Sequence, residues 1–182
     1  MEKKVFKFFT VDNMEKEAAY LNEMAQKGWF FKAYKSFRYH FEQGEPAIYS
    51  YAIDFKANEG DEEAYKTLFA DAGWENVYCY PVLNGNWMYF RKAIEPGKTN
   101  EAIFTDKDSL IQLYKRIRTR WTIFGVIMSL FLLFELLLVF PMDNYFGVTT
   151  FIFIMFIILV LLYGKMFFNL TRKINNLVAR KS

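Results

Sequence analysis

Residues 121–140, WTIFGVIMSLFLLFELLLVF, are twenty apolar positions interrupted by one charge, Glu135. At about 1.5 Å per helical residue such a run covers roughly 30 Å, the thickness of a bilayer's hydrocarbon core. A second run, VTTFIFIMFIILVLLYG at 148–164, carries no charge, and MFF at 166–168 extends it. PMDNYFG at 141–147 has the composition of a tight turn. The pattern predicts a helical hairpin that crosses a membrane twice, with spans at 121–140 and 148–168. A soluble domain of this size cannot cover two helices that are apolar all round.

The flanks orient the hairpin. Lys115, Arg116, Arg118 and Arg120 precede the first run, and Lys165, Arg172 and Lys173 follow or end the second, while the turn has neither Lys nor Arg. The excess of cations on one side predicts a two-pass protein of the cell membrane with both termini cytoplasmic and the turn outside. Residues 105–120, TDKDSLIQLYKRIRTR, place Leu110, Ile111, Leu113, Tyr114 and Ile117 on one helical stripe. This reads as a basic amphipathic juxtamembrane helix, capped by Asp108, whose cations attract anionic lipid. EPGKTNE marks a linker at 95–104, and residues 169–182 form a basic cytoplasmic tail.

Charge divides the same way. Residues 1–100 hold 13 Lys/Arg and 15 Asp/Glu, whereas residues 101–182 hold 10 and 5. The N-terminal part is mildly acidic and lacks the concentrated basic patch of a nucleic-acid binder. One Cys, Cys79, excludes an internal disulfide and fits a reducing compartment. The apolar run near the N-terminus is short, is broken by Lys7 and is followed by acids, which does not fit a signal peptide.

Residues 1–94 repeat a piece of themselves. AQKGWF at 25–30 and ADAGWE at 70–75 share the form helix end, Gly, Trp, and a shift of 45 aligns 17–29 with 62–74, six of thirteen positions being identical. Gly28 and Gly73 are the expected left-handed helix stops, and Trp29 and Trp74 open the following strands. Asp12 and Asp61 are the expected N-caps, Asp12 with Glu15 at capping-box spacing. Met14, Ala18, Leu21 and Ala25 form the stripe of the first helix; Tyr65, Leu68, Phe69 and Ala72 form that of the second.

Strand alternation supplies the rest. Phe37, Tyr39 and Phe41 share a face, as do Tyr49, Tyr51, Ile53 and Phe55, with GEPA at 44–47 as a turn between them. ENVYCYPV and NWMYFRKA flank LNGN at 83–86, an Asn-Gly hairpin signal. The order β-α-β-β-α-β-β predicts an α+β, ferredoxin-like cytoplasmic domain with an added edge strand and both helices on one face of an antiparallel sheet.

LNEMAQKGW, FRYHFEQGEPAIYSYAIDF, DAGW and NWMYFRK together resemble the domain of unknown function 2812 family of Gram-positive bacterial membrane proteins, over residues 3–93. The two C-terminal runs are also similar to that family's layout. The resemblance implies no catalytic residues or cofactor. It does imply a regulatory or stress-response setting, since members are often encoded beside PadR-like repressors.

The residues themselves offer little to an enzyme. One His, His40, and one Cys exclude the standard zinc spacings, and no Gly-rich phosphate loop is present. No catalytic, metal or cofactor site is therefore expected. SFRYHFE lacks the glycines of an RNA-stacking strand, so nucleic acid is not an expected partner. Twelve Tyr and 21 Phe favour an aromatic interface, with Trp87, Tyr89 and Arg91 alternating on one face of the last strand as its candidates. Within the first span, Glu135 is the candidate polar contact, with Thr149 and Thr150 at similar depth as partners. The expectation is a membrane-anchored regulatory or adaptor protein, bound to the bilayer and to a protein partner or a second copy. Alternatives are an accessory subunit of a membrane transporter and a small-molecule binding domain.

Overall fold

Gly28 and Gly73 stop two helices in the same way, with φ of +77° and +80°. In each case the glycine N–H bonds back three residues, to Ala25 at 2.9 Å and to Ala70 at 2.8 Å. A Cβ at Gly28 would also stand 2.6 Å from the Gly44 carbonyl, so only glycine fits there. The structure, a computed structural model, describes residues 1–58, 60–82, 85–94, 107–139 and 146–179. It divides into two compact units, Met1–Asp106 and Lys107–Ser182. The linker expected at 95–104, most of the connecting turn, Leu83 and Asn84 of the Asn-Gly signal, and the last residues of the basic tail lie outside the described residues.

The N-terminal unit runs β1 (Glu2–Phe6), α1 (Met14–Gln26), β2 (Trp29–Lys35), β3 (Arg38–Gln43), β4 (Tyr49–Ala57), α2 (Glu62–Asp71), β5 (Glu75–Val82) and β6 (Gly85–Ala93). It is α+β, with six strands where the alternation predicts five. The extra strand comes from 29–43, which folds into a hairpin about Ser36 and Phe37. Both have positive φ, 48° and 60°. Two positive φ values in a two-residue loop make a type I′ turn, which usually takes Asn-Gly. Neither Ser nor Phe announces it.

The strands pair as two antiparallel three-stranded sheets, β1-β3-β2 and β4-β6-β5, in place of the single sheet expected. GEPA therefore connects two sheets and does not close a hairpin. The observed order shows how far the duplication extends. Each half is β-α-β-β, and in each the third strand lies between the first two. Tyr39 opposes Val5 and Tyr34; Met88 opposes Asp54 and Cys79.

The helices take different faces of the second sheet. Phe69 of α2 meets Phe90 at 4.5 Å, in a cluster with Ala52, Trp74 and Met88. The opposite parity, Tyr51, Ile53 and Tyr89, faces the interior shared with α1 and the first sheet. There Phe31 packs on Tyr89 at 5.0 Å and on Tyr78 at 5.6 Å. β4 is covered on both faces, every residue from Ser50 to Lys56 being buried. Its outer edge is covered as well: the Tyr51 N–H donates to Asn22 Oδ1 of α1 at 2.6 Å.

Helix ends differ in how well their signals hold. Asp61 caps α2, accepting from the Glu63 N–H at 2.9 Å. The N-cap position of α1 is Asn13, one residue after Asp12. Asp12 is buried within a 3₁₀ turn, Val11–Asn13, which Asn13 closes onto Thr10, and α1 begins only at Met14. The α1 stripe is buried at Met14, Leu21 and Ala25, whereas in α2 only Phe69 is buried and Leu68 is exposed.

The second unit is α3 (Lys107–Val139) and α4 (Phe146–Ala179). Asp108 lies inside the first turn of α3, not before it. At 33 and 34 residues, each helix is about 50 Å long. Each contains a stretch long and apolar enough to cross a membrane, with mean hydropathy 2.2 and 2.5. They run antiparallel, Arg118 donating to Thr171 at 3.1 Å and Lys173 lying over Tyr114 at 5.3 Å. The helices approach closely at Gly125, where a Cβ would meet the Tyr163 ring at 2.6 Å. Burial concentrates toward the basic ends, at Ile111, Leu113, Tyr114, Ile117, Met166, Leu170 and Ile174.

The Ser36-Phe37 turn gives a direct test. L-residues other than Asn and Asp are strained at positive φ by about 1–2 kcal/mol each. Replacing the pair by Asn-Gly should raise stability by about 1 kcal/mol, part of the gain being offset by glycine's unfolded-state entropy. The check is an upward shift in Tm, followed by near-ultraviolet dichroism of the tyrosine-rich interior.

Candidate functional site: a buried carboxylate between two sheets

Glu17 sits in the first turn of α1, between Met14 and Leu21 on the stripe that packs inward. Only 8% of it is exposed. Its Oε1 accepts two hydroxyls, Tyr39 from β3 at 2.6 Å and Tyr89 from β6 at 2.9 Å. One oxygen of one helix thus joins both sheets. Phe31, Tyr34 and Tyr78 surround the pair: Tyr34 lies 4.7 Å from Tyr39, and the Tyr78 hydroxyl donates to the Tyr34 carbonyl at 2.8 Å.

Burial raises the Glu17 carboxyl above its ordinary 4.5, and the two hydroxyl bonds pull the other way. Burial, followed by the neighbouring Glu17 charge, holds both tyrosine hydroxyls protonated far above the usual tyrosine range. The tyrosines are therefore fixed donors, and Glu17 is the group that titrates.

The second repeat carries a related arrangement. Glu62, aligned with Glu17 by the shift of 45, accepts from Asn86 of β6 at 2.9 Å and pairs with Lys66 at 2.8 Å. The Cys79 thiol lies 4.0 Å from Glu62, and burial followed by that carboxylate's charge pushes it up. A raised thiol is a poor nucleophile. Beneath α2, the Tyr65 hydroxyl donates to the fully buried carboxylate of Asp54.

The residues singled out from sequence fall in three places. Trp87 and Tyr89 are interior, 8% and 7% exposed, with Trp87 on Phe55 at 5.0 Å. Arg91, on the same face, makes a fork with Glu75 at 2.7 and 3.1 Å. The expected open interface is an internal seam, because this parity of β6 points toward α1 and the first sheet. Gly28, Trp29, Gly73 and Trp74 occupy the paired helix–strand junctions; Trp74 is buried, while Trp29 is half-buried with Lys3 over its ring at 5.1 Å.

The third place is the hairpin. Lys115, Arg116, Lys165 and Arg172 are exposed, and Arg118, Arg120 and Lys173 are half-buried, all toward the same ends of α3 and α4. Arg118 also lies over Phe167 at 5.6 Å. Glu135 is half-buried on α3, one turn from its end, and Thr149 and Thr150 are in the first turn of α4. Between the helices runs a groove of about 450 Å³ lined by Gly125, Ser129, Leu133, Val160 and Tyr163 among others.

Glu17 is the residue that sequence reasoning passed over. Its signal was its position: three residues after Met14 and four before Leu21, it belongs to the apolar stripe, and a carboxylate there must meet donors.

Two measurements probe the hub. Tyr39→Phe or Tyr89→Phe should each cost about 1–3 kcal/mol, the scale of a lost buried bond to a carboxylate. For pH, a raised folded-state value means that the folded chain holds its proton more tightly than the unfolded one. That stability is fully present below about 4.5 and is lost as pH rises through the elevated Glu17 value. Glu17→Gln should flatten the slope of unfolding free energy across this window while leaving it unchanged elsewhere.

The profile of the family described as "Protein of unknown function (DUF2812)" matches residues 13–126. The match opens at the start of α1, spans both helix–strand junctions and the tyrosine–carboxylate hub, and ends inside α3. No curated protein and no solved structure matches the chain. With well over half of its length covered, the chain belongs to the DUF2812 family of proteins of unknown function.

Proposed function

We propose that the chain is a membrane-anchored regulatory or adaptor protein whose N-terminal unit lies in the cytoplasm and binds a protein partner. The observation that carries this reading is the continuity of α3. α3 runs without a break from a basic first half, with Ile111, Leu113, Tyr114 and Ile117 buried on one face, into an apolar second half. Such a helix supports a reading in which a basic segment leads without interruption into a bilayer. The apolar stretches of α3 and α4 are only 6% buried, which calls for lipid or another membrane protein around them. Cations on the flanks and none in the connecting turn favour cytoplasmic termini. The head contributes binding, not catalysis, in this reading.

The groove beside Gly125 and Ser129 favours a second reading, an accessory subunit whose hairpin packs on the helices of a transporter. One experiment separates the two. The full chain is purified from its native membrane in mild detergent beside a chimera carrying an unrelated two-helix hairpin at 121–164. A soluble partner retained by both supports the adaptor. A membrane protein retained by the native chain alone supports the subunit. If neither retains a stoichiometric partner, both readings fail.

A further inference from the structure

We propose that the tip of the β2–β3 hairpin is a second membrane contact, one that docks on an anionic lipid surface. This rests on the anchored reading above and adds a site in the N-terminal unit. Three phenylalanines stand in solvent at or near one end of the first sheet: Phe37 in the turn, Phe6 at the end of β1 and Phe8 just beyond it. They are 65%, 73% and 60% exposed, although the interior of the same unit is built from aromatic rings. Exposed apolar clusters of this kind mark interaction surfaces.

Charge selects the occupant. Lys35 and Arg38 bracket the turn and oppose each other, and Arg38 also opposes Phe6. The carboxylates of this sheet lie at its far end, where Glu2 opposes Glu42 and Lys32 holds Glu42 at 2.6 Å. One end is thus aromatic and cationic, and the acids are kept at the other. Aromatic rings settle at the headgroup level, and each nearby cation adds attraction to anionic lipid.

The backbone gives an independent indication. Ser36 and Phe37 hold the positive φ that Asn-Gly would adopt without strain. Strain kept at an exposed tip, beside a ring that is 65% exposed, is the pattern of a functional site.

The test is hydrogen exchange of residues 35–39 in the full chain, in nanodiscs of phosphatidylcholine with or without phosphatidylglycerol. In anionic discs the tip amides should exchange roughly thirty-fold more slowly, the scale set by two cations near such a surface. The protection should vanish between about 0.1 M and about 1 M salt, as the screening length falls from ~10 Å to ~3 Å. The Lys35→Glu, Arg38→Glu variant should lose it. Replacing Ser36-Phe37 by Asn-Gly should also lose it while melting higher, which separates docking from stability.

Equal exchange in the two discs overturns the proposal. So does protection that appears only on adding a co-purified protein, which would make the tip a protein interface. Co-elution of the chain with disc lipid reports separately on the anchor. A chain that fails to incorporate is assayed on vesicles of the same two compositions, with the same outcomes for the tip.

Discussion

One carboxylate oxygen ties a helix and both sheets of the N-terminal unit together at a single point. Among the described residues the two three-stranded sheets share no ladder hydrogen bonds, and aromatic packing is tolerant of sliding. Glu17 supplies direction: its Oε1 accepts Tyr39 from one sheet and Tyr89 from the other, so the helix and both sheets meet at a defined point. Burial of a carboxylate opposes folding, and two hydroxyl donors offset part of that cost. A polar group so placed contributes more to uniqueness of arrangement than to net stability.

Duplication explains why the partner of this contact is so far away in the chain. Each half is β-α-β-β, too small to enclose a core by itself. The halves have diverged around a shared plan. In the first, the helix offers a carboxylate and the strands offer tyrosines. In the second, α2 offers Tyr65 and β4 offers the Asp54 carboxylate, while Glu62 has moved to the margin with Asn86 and Lys66. α1 buries one face against both sheets and α2 packs on one of them alone, which is why the apolar stripe of α2 is only partly covered.

Legibility followed the locality of the physics. Helix stops at Gly28 and Gly73, the Asp61 cap and the two apolar helices depend on a few neighbouring residues, and the sequence displays them. Strand parity was also readable, since Tyr39 and Phe41 are buried and Arg38 is exposed. What parity cannot say is which face meets another element. Trp87 and Tyr89 share a face as expected, but that face points inward. The hairpin at 29–43 was hidden because its turn is held by the fold around it and not by turn-forming residues, and with one strand lost the sheet order could not be recovered. Asp12 shows the reverse error: a capping-box spacing was present, but a 3₁₀ turn took Asp12 inside.

The bond from Tyr51 to Asn22 has a consequence beyond the monomer. β4 is an edge strand, and an edge with open donors recruits further strands. Copies anchored as proposed above would meet one another in two dimensions, often in fixed orientation, which favours strand addition between them. By engaging an edge amide with a helix side chain, Asn22 removes one of the donors through which such copies would polymerise.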